Sequence, residues 1–198
     1  TPFYKDEFYE CVCCGGIFRP KEKLLDNQKE KERYESHTND SNDLGYQNFV
    51  SPITNTVLDE YKKDDLGLDF GCGKDSPIVK VLRQSEYKIF EYDPYFFDDK
   101  KLLEEKYDYI ACCEVIEHFY NPKKEFELLK SLLKEKSTLY LMTGIYRDNI
   151  DFSKWWYKND LTHVFIYREK TFEWIKEEFG FKNMFIEKNF ISFSNRKE

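Results

Sequence analysis

From about residue 46 the apolar positions fall into short runs separated by amphipathic stretches, the pattern of an α/β chain. Leu66–Phe70 is an apolar run that ends in Gly71-Cys72-Gly73, which predicts a buried strand entering a tight turn. Pro77 to Leu82 fits a helix, with Asp75 or Ser76 as N-cap and Pro77 in its first turn. Tyr87–Tyr92 and Tyr107–Cys113 read as the next two strands, and Pro122 opens a helix that runs through Leu133. Ser137–Thr143 predicts another strand. Thr171–Phe179 predicts a helix that Gly180 ends, and Lys182–Glu187 and Phe190–Ser194 predict a final hairpin. Strands that alternate with helices imply a mostly parallel sheet covered on both faces, here with an antiparallel C-terminal edge.

Residues 1–45 break this pattern. They carry a cysteine cluster, then the charged run KEKLLDNQKEKERYE with the composition of a solvated helix, then the polar stretch SHTNDSND. The expected organisation is a Cys-containing appendage with a helix over 1–45, followed by the main domain over 46–198.

Composition narrows the picture. The chain has 198 residues, 40% of them hydrophobic, which suits one domain with a real core; 15 Tyr, 18 Phe and 3 Trp supply bulk against 35% charged residues. A net charge of −7 makes nucleic acid a poor default partner. No apolar run is long enough for a membrane helix, and the N-terminus does not read as a signal peptide. The first residue is Thr1 rather than Met, which reads as processing or truncation. Six cysteines at 11, 13, 14, 72, 112 and 113 form adjacent pairs rather than a spread disulfide framework, so reduced thiols in a cytoplasmic protein are expected.

The chemistry concentrates at the first turn. Glycines at 71 and 73 let the backbone bend and let a ligand approach closely. Asp93, 20 residues beyond Gly73, ends the second strand, where an acid accepts ribose hydroxyls in doubly wound nucleotide folds. Ser76 occupies the third glycine position of a dinucleotide fingerprint, which argues against NAD. Asp69 just before the turn suits a cationic ligand group better than a pyrophosphate. A ribose plus a cationic amine points to S-adenosylmethionine.

With these residues in order, the sequence resembles a class I S-adenosylmethionine-dependent methyltransferase. LGLDFGCG (66–73), FEYDPYF (90–96), YDYIACCEVIEHFYNP (107–122), LLKEKSTLYLMT (132–143) and WWYKNDLTHVFIYREKTFEWIKEEFGF (155–181) match successive segments of that family, covering about 46–198. The resemblance implies a Rossmann-like seven-strand fold, S-adenosylmethionine as cofactor, and cofactor contacts at Asp69, Gly71, Cys72, Gly73, Asp93, Pro94, Cys113 and Glu114. It implies an acceptor pocket after the fifth strand, at Trp156, Tyr157, Asp160 and His163. Two departures stand out. Asp75 replaces the usual third glycine. Only 13 residues separate Asp93 from Tyr107, too few for the family's next helix and strand, which leaves the adenine partner to Asp98, Asp99 or a backbone group. YECVCCGGIFRP resembles half of a small zinc ribbon, with Cys11 and Cys14 at knuckle spacing but without a second pair.

Methyl transfer from a sulfonium relies on alignment, and a base helps only for hydroxyl or protonated nitrogen acceptors. His163 and His118 are the candidate catalytic residues, and His37 a candidate for a lid. The segment ACCEVIEHF (111–119) gathers metal-ligand types. Cys112 and Cys113 point to opposite faces of a strand, and Glu-x-x-Glu-His lacks the first histidine of the inverted zinc motif, so no metal is expected there. The expected activity is methylation of an acceptor, a small molecule in view of the acidic charge. A module that binds S-adenosylmethionine without transferring from it, and a metal-dependent hydrolase built on the Cys/Glu/His cluster, are the rival readings. Acceptor identity and oligomeric state are not legible.

Overall fold

The computed structural model describes residues 1–36 and 40–196. Its main sheet has six strands: β4 (Leu66–Phe70), β5 (Lys88–Tyr92), β6 (Tyr107–Cys113), β7 (Leu133–Met142), β9 (Asn183–Glu187) and β10 (Phe190–Ser194). Their order is β5-β4-β6-β7-β10-β9; the first four are parallel, and β10 runs antiparallel to both β7 and β9. This is the expected Rossmann-like sheet with its antiparallel hairpin, but with six strands in place of seven. The 13 residues between Asp93 and Tyr107 hold only a 3-10 turn, Lys100–Leu103, so β4's far neighbour β5 becomes the edge.

Period-two alternation sorts the sheet's side chains between two cores. Ile110 and Cys112 of β6 and Leu139 and Leu141 of β7 face α4 (Pro122–Leu132) and α5 (Glu169–Glu178), which contribute Phe126, Leu129, Phe172 and Ile175. Tyr109, Ala111 and Cys113 of β6 and Tyr140 and Met142 of β7 face α2 (Leu44–Glu60) and α3 (Pro77–Gln84). Cys112 and Cys113 therefore lie on opposite faces, as their adjacency on a strand requires. Ser76 is the N-cap of α3: its hydroxyl accepts from the Val79 amide at 3.2 Å, and Pro77 follows in the first turn.

One long helix was not expected. In α2 the buried residues Val50, Ile53, Thr54 and Val57 recur at i, i+3, i+4 and i+7, a helical stripe, with Asp43 accepting from the Tyr46 amide at 2.8 Å as N-cap. Pro52 inside it removes one backbone donor and masks the pattern.

The N-terminal residues build a second, antiparallel sheet: β1 (Pro2–Tyr4), β2 (Phe8–Glu10), β3 (Ile17–Phe18) and β8 (Phe165–Ile166), in that order. Phe8, Ile17, Phe152 and Ile166 form its small core. The charged run supplies the 3-10 turn Lys21–Lys23 and helix α1 (Asn27–Glu35), which Asp26 caps by accepting from the Lys29 amide at 2.9 Å. No helix among the described residues is long and apolar enough to cross a membrane.

Candidate active site

At the carboxyl ends of β4, β5 and β6 the glycine turn, Asp93 and the β6 exit converge on a cavity of about 1170 Å³. Gly71 and Gly73 have φ of 79° and 65°, in the left-handed region that favours glycine. A Cβ at Gly71 would lie 2.5 Å from the Val115 side chain, so the turn and the β6 exit touch without room for one. Asp93 ties the two strand ends together. Its Oδ2 accepts from the Gly73 amide at 3.1 Å, and its Oδ1 accepts from Tyr95 and Phe96 amides at 2.8 and 3.2 Å. Asp69 is 3% exposed and accepts from Ser76 Oγ at 2.5 Å. Burial pushes its carboxyl up to about 7, opposed by the Ser76 bond and reinforced by the charges of Glu91 and Asp93. Burial likewise raises the Cys72 and Cys113 thiols, which keeps them protonated and unreactive.

Beyond the β6 exit lies a cluster of acids and imidazoles. Glu114 takes a left-handed φ of 53° while its amide still bonds to the Met142 carbonyl at 2.8 Å, so the chain leaves the sheet in a single strained step. Its carboxyl is pushed up to about 9 by burial and by the neighbouring Glu117. Glu117 is fully buried. Its Oε1 accepts from the Tyr157 hydroxyl at 2.6 Å and its Oε2 from Thr143 Oγ1 at 3.0 Å. His118 Nδ1 lies 2.9 Å from the Thr162 carbonyl and His163 Nδ1 lies 2.8 Å from the Tyr157 carbonyl; a carbonyl only accepts, so in each ring Nδ1 is the donor. The two rings stand 5.0 Å apart, edge to face. Burial lowers the pKa of His163, against the pull of Glu117, and leaves it neutral at pH 7. Burial raises that of Glu117 in turn, though His163 and Tyr157 oppose the shift.

The loop of His163 is held from the N-terminus. Arg19, 8% exposed, donates through Nε to the His163 carbonyl at 3.2 Å and through Nη2 to the Lys158 carbonyl at 2.5 Å. Helix α1 lies over the cavity, where Arg33 pairs with Asp160 at 2.7 Å. Although burial opposes it, that pair and the Thr162 hydroxyl and amide hold Asp160 well below the usual carboxylate range. Tyr34 stands edge-on to His118 at 5.3 Å, and both Tyr34 and Tyr95 donate to the buried Glu30.

The comparisons agree with this fold. The family described as "Methyltransferase domain" matches residues 44–184. The chain belongs to this family. That bears out the resemblance to class I S-adenosylmethionine-dependent methyltransferases. Among solved structures, 1,6-didemethyltoxoflavin-N1-methyltransferase of Burkholderia thailandensis, bound to 1,6-didemethyltoxoflavin and S-adenosylhomocysteine, aligns with TM-score 0.59 at 10% identity, over 96% of this chain and all of that one. Human N-acetylserotonin methyltransferase with S-adenosylmethionine gives 0.57 at 11%, over 87% and 57%. The phosphoethanolamine N-methyltransferase 2 of Haemonchus contortus, with phosphomonomethylethanolamine and S-adenosylhomocysteine, gives 0.53 at 16%; it is matched over 69% of this chain, which spans only 38% of it. No curated protein sequence matches.

In this methyltransferase the residues expected at the donor end, Asp69, Gly71, Cys72, Gly73, Asp93, Pro94, Cys113 and Glu114, all border one cavity, together with His118, Trp156, Asp160 and His163. Tyr157, expected in the acceptor wall, lies behind it with its hydroxyl bound to Glu117. His37 falls outside the described residues. Cys11 and Cys14 sit in the β2–β3 turn, where Cys14 Sγ accepts from the Gly16 amide at 3.4 Å; all six cysteines are unpaired. Sequence reasoning missed Glu30, Arg33 and Tyr34 of α1 and Tyr46 of α2, which also line the cavity. It also missed that Glu117 joins His118 and His163. Asp43 before an i, i+3, i+4, i+7 stripe could have announced α2; nothing local announces that α1 folds over the site.

Proposed function

We propose that this methyltransferase binds S-adenosylmethionine along the glycine turn and methylates a small-molecule acceptor held between Trp156, Asp160 and His163. The observation that carries the reading is the continuity of the cavity: one space joins the glycine turn and Asp93 to both histidines. The residues suit the donor. Of the roughly four acceptor positions on the Asp93 carboxylate, three are taken by backbone amides, which leaves one for a ribose hydroxyl. Asp69 is a buried carboxyl without a cationic bonding partner among the described residues, suited to an ammonium group. When bound, S-adenosylmethionine supplies an electrophilic methyl group. The chain's own task is alignment and exclusion of water. Trp156 and α1 screen the acceptor, Glu114 and Cys113 border the donor, and His163 or His118, both on the cavity wall, serves the acceptor's proton.

Transfer chemistry is assigned to 46–198, with 1–45 as a cover that completes the acceptor end. Six unpaired thiols support a reducing, cytoplasmic setting. The test is calorimetric titration with S-adenosylmethionine and S-adenosylhomocysteine, repeated on Asp93→Ala, followed by a labelled-methyl screen over small alcohols, phenols and amines. Binding lost in Asp93→Ala and transfer to one acceptor class are expected. Tight binding without transfer to any class favours a binding module, and no binding at all refutes the reading.

A further inference from the structure

Glu117, His118 and His163 each offer one ligand atom, and these atoms lie within 4.8 Å of one another. Among the described residues this is the one such group of three. Ligands placed about 2 Å from a common ion stand within about 4 Å of each other, so a small side-chain rotation would bring all three onto one cation. Two imidazoles and a carboxylate form a donor set that suits divalent zinc, manganese or iron rather than calcium or magnesium.

The surroundings are built as metal ligands require. A ligating imidazole needs its other nitrogen fixed, and both Nδ1 atoms are fixed on backbone carbonyls, of Thr162 and of Tyr157. A ligating carboxylate needs its own hydrogen bonds, and Glu117 receives them from Tyr157 and Thr143. Those two partners are neutral hydroxyls, so they orient the buried carboxylate without balancing its charge. The Val164 amide bonds to the Glu117 carbonyl at 2.9 Å, which locks the His163 loop onto the Glu117-His118 turn across 46 residues of chain. His118 and His163 line the cavity, so an ion there would keep open positions toward the acceptor, as catalytic sites do and structural sites do not.

We propose that Glu117, His118 and His163 bind a divalent transition-metal cation that receives the acceptor through oxygen. The inference rests on the transferase reading above and narrows it to hydroxyl acceptors, in particular those with two neighbouring oxygens that can chelate. Bound to the cation, a hydroxyl gives up its proton to solvent near neutral pH, and the alkoxide or phenolate stays fixed at the mouth of the donor site. The histidines then act as ligands, not as bases.

The test reads the metal alone. Chelator-stripped full chain is titrated with Co²⁺, whose visible absorption reports nitrogen and oxygen ligation, with circular dichroism to confirm folding. A single equivalent with a ligand-field band is expected. His118→Ala, at a half-buried position, and His163→Ala lose it; Tyr157→Phe, which removes a donor to Glu117, weakens binding about 10- to 100-fold. The double variant Cys11→Ser, Cys14→Ser retains the band. No band in folded wild-type protein overturns the proposal, as does a band that survives both histidine variants or disappears with the cysteines. Titration with S-adenosylmethionine on the same samples separates the two ideas. Donor binding without cobalt uptake refutes the cation site alone, and cobalt uptake without donor binding refutes the transferase reading.

Discussion

Replacing Asp69 with asparagine sets the stability of the ligand-free protein against its affinity for donor. Asp69 is 3% exposed and its carboxyl is raised from 3.8 to about 7 by burial, with Glu91 and Asp93 adding repulsion and Arg83 opposing it. At about 1.4 kcal/mol per pH unit, that rise is worth about 4 kcal/mol as an upper figure. The folded state holds the proton more tightly than the unfolded chain. This contribution is therefore full below pH 3.8, declines as pH rises, and is gone above about 7. Asparagine can still accept the Ser76 hydroxyl bond but never ionises. Asp69→Asn should match wild type near pH 4 and exceed it by up to about 4 kcal/mol at pH 8. The assay is urea unfolding of both proteins without ligand at several pH values, read as the difference, so that other buried acids such as Glu114 cancel. Donor titration at pH 8 should show weaker binding in the variant, which has lost the anion. A difference that stays constant with pH, or a variant less stable than wild type at pH 8, would refute the reasoning.

Three other substitutions probe the site's supports. Gly71→Ala forces a Cβ to 2.5 Å from Val115 at a φ of 79°; a loss of about 1–3 kcal/mol in unfolding experiments and weaker donor binding are expected. Arg19→Met keeps the apolar stem but leaves the His163 and Lys158 carbonyls without their donor, costing about 2–4 kcal/mol by urea unfolding and lowering transfer more than donor binding. Arg33→Ala breaks a partly exposed pair with Asp160, so its effect on stability stays below about 1 kcal/mol while the acceptor KM changes and loses salt dependence.

Much of the donor end is legible in the chain because it is local. The run Leu66–Phe70 ends on two glycines, Tyr107–Cys113 ends where acids begin, and Phe190–Ser194 follows a turn; each strand was bounded to the residue. The missing seventh strand could also be anticipated from the short stretch between Asp93 and Tyr107. The acceptor end is assembled from pairings remote in sequence and carries no such punctuation. Ile17 pairs with Ile166, Arg19 reaches the His163 carbonyl, and Glu117 lies beside His163 where the Val164 amide bonds to the Glu117 carbonyl. Helix α1 reads correctly as a charged, solvated helix, yet composition cannot say that its Tyr34 and buried Glu30 turn inward over a cavity.

The second sheet has a consequence for inheritance. The proposed donor end lies within residues 66–114, whereas the loop of His163 is propped by Arg19 and roofed by Arg33, more than 120 residues away. Substitutions in the first 35 residues can therefore reshape the proposed acceptor chamber while leaving the glycine turn untouched. On the proposed assignment of the two ends, acceptor preference and donor use are separate traits of this chain, free to diverge at different rates.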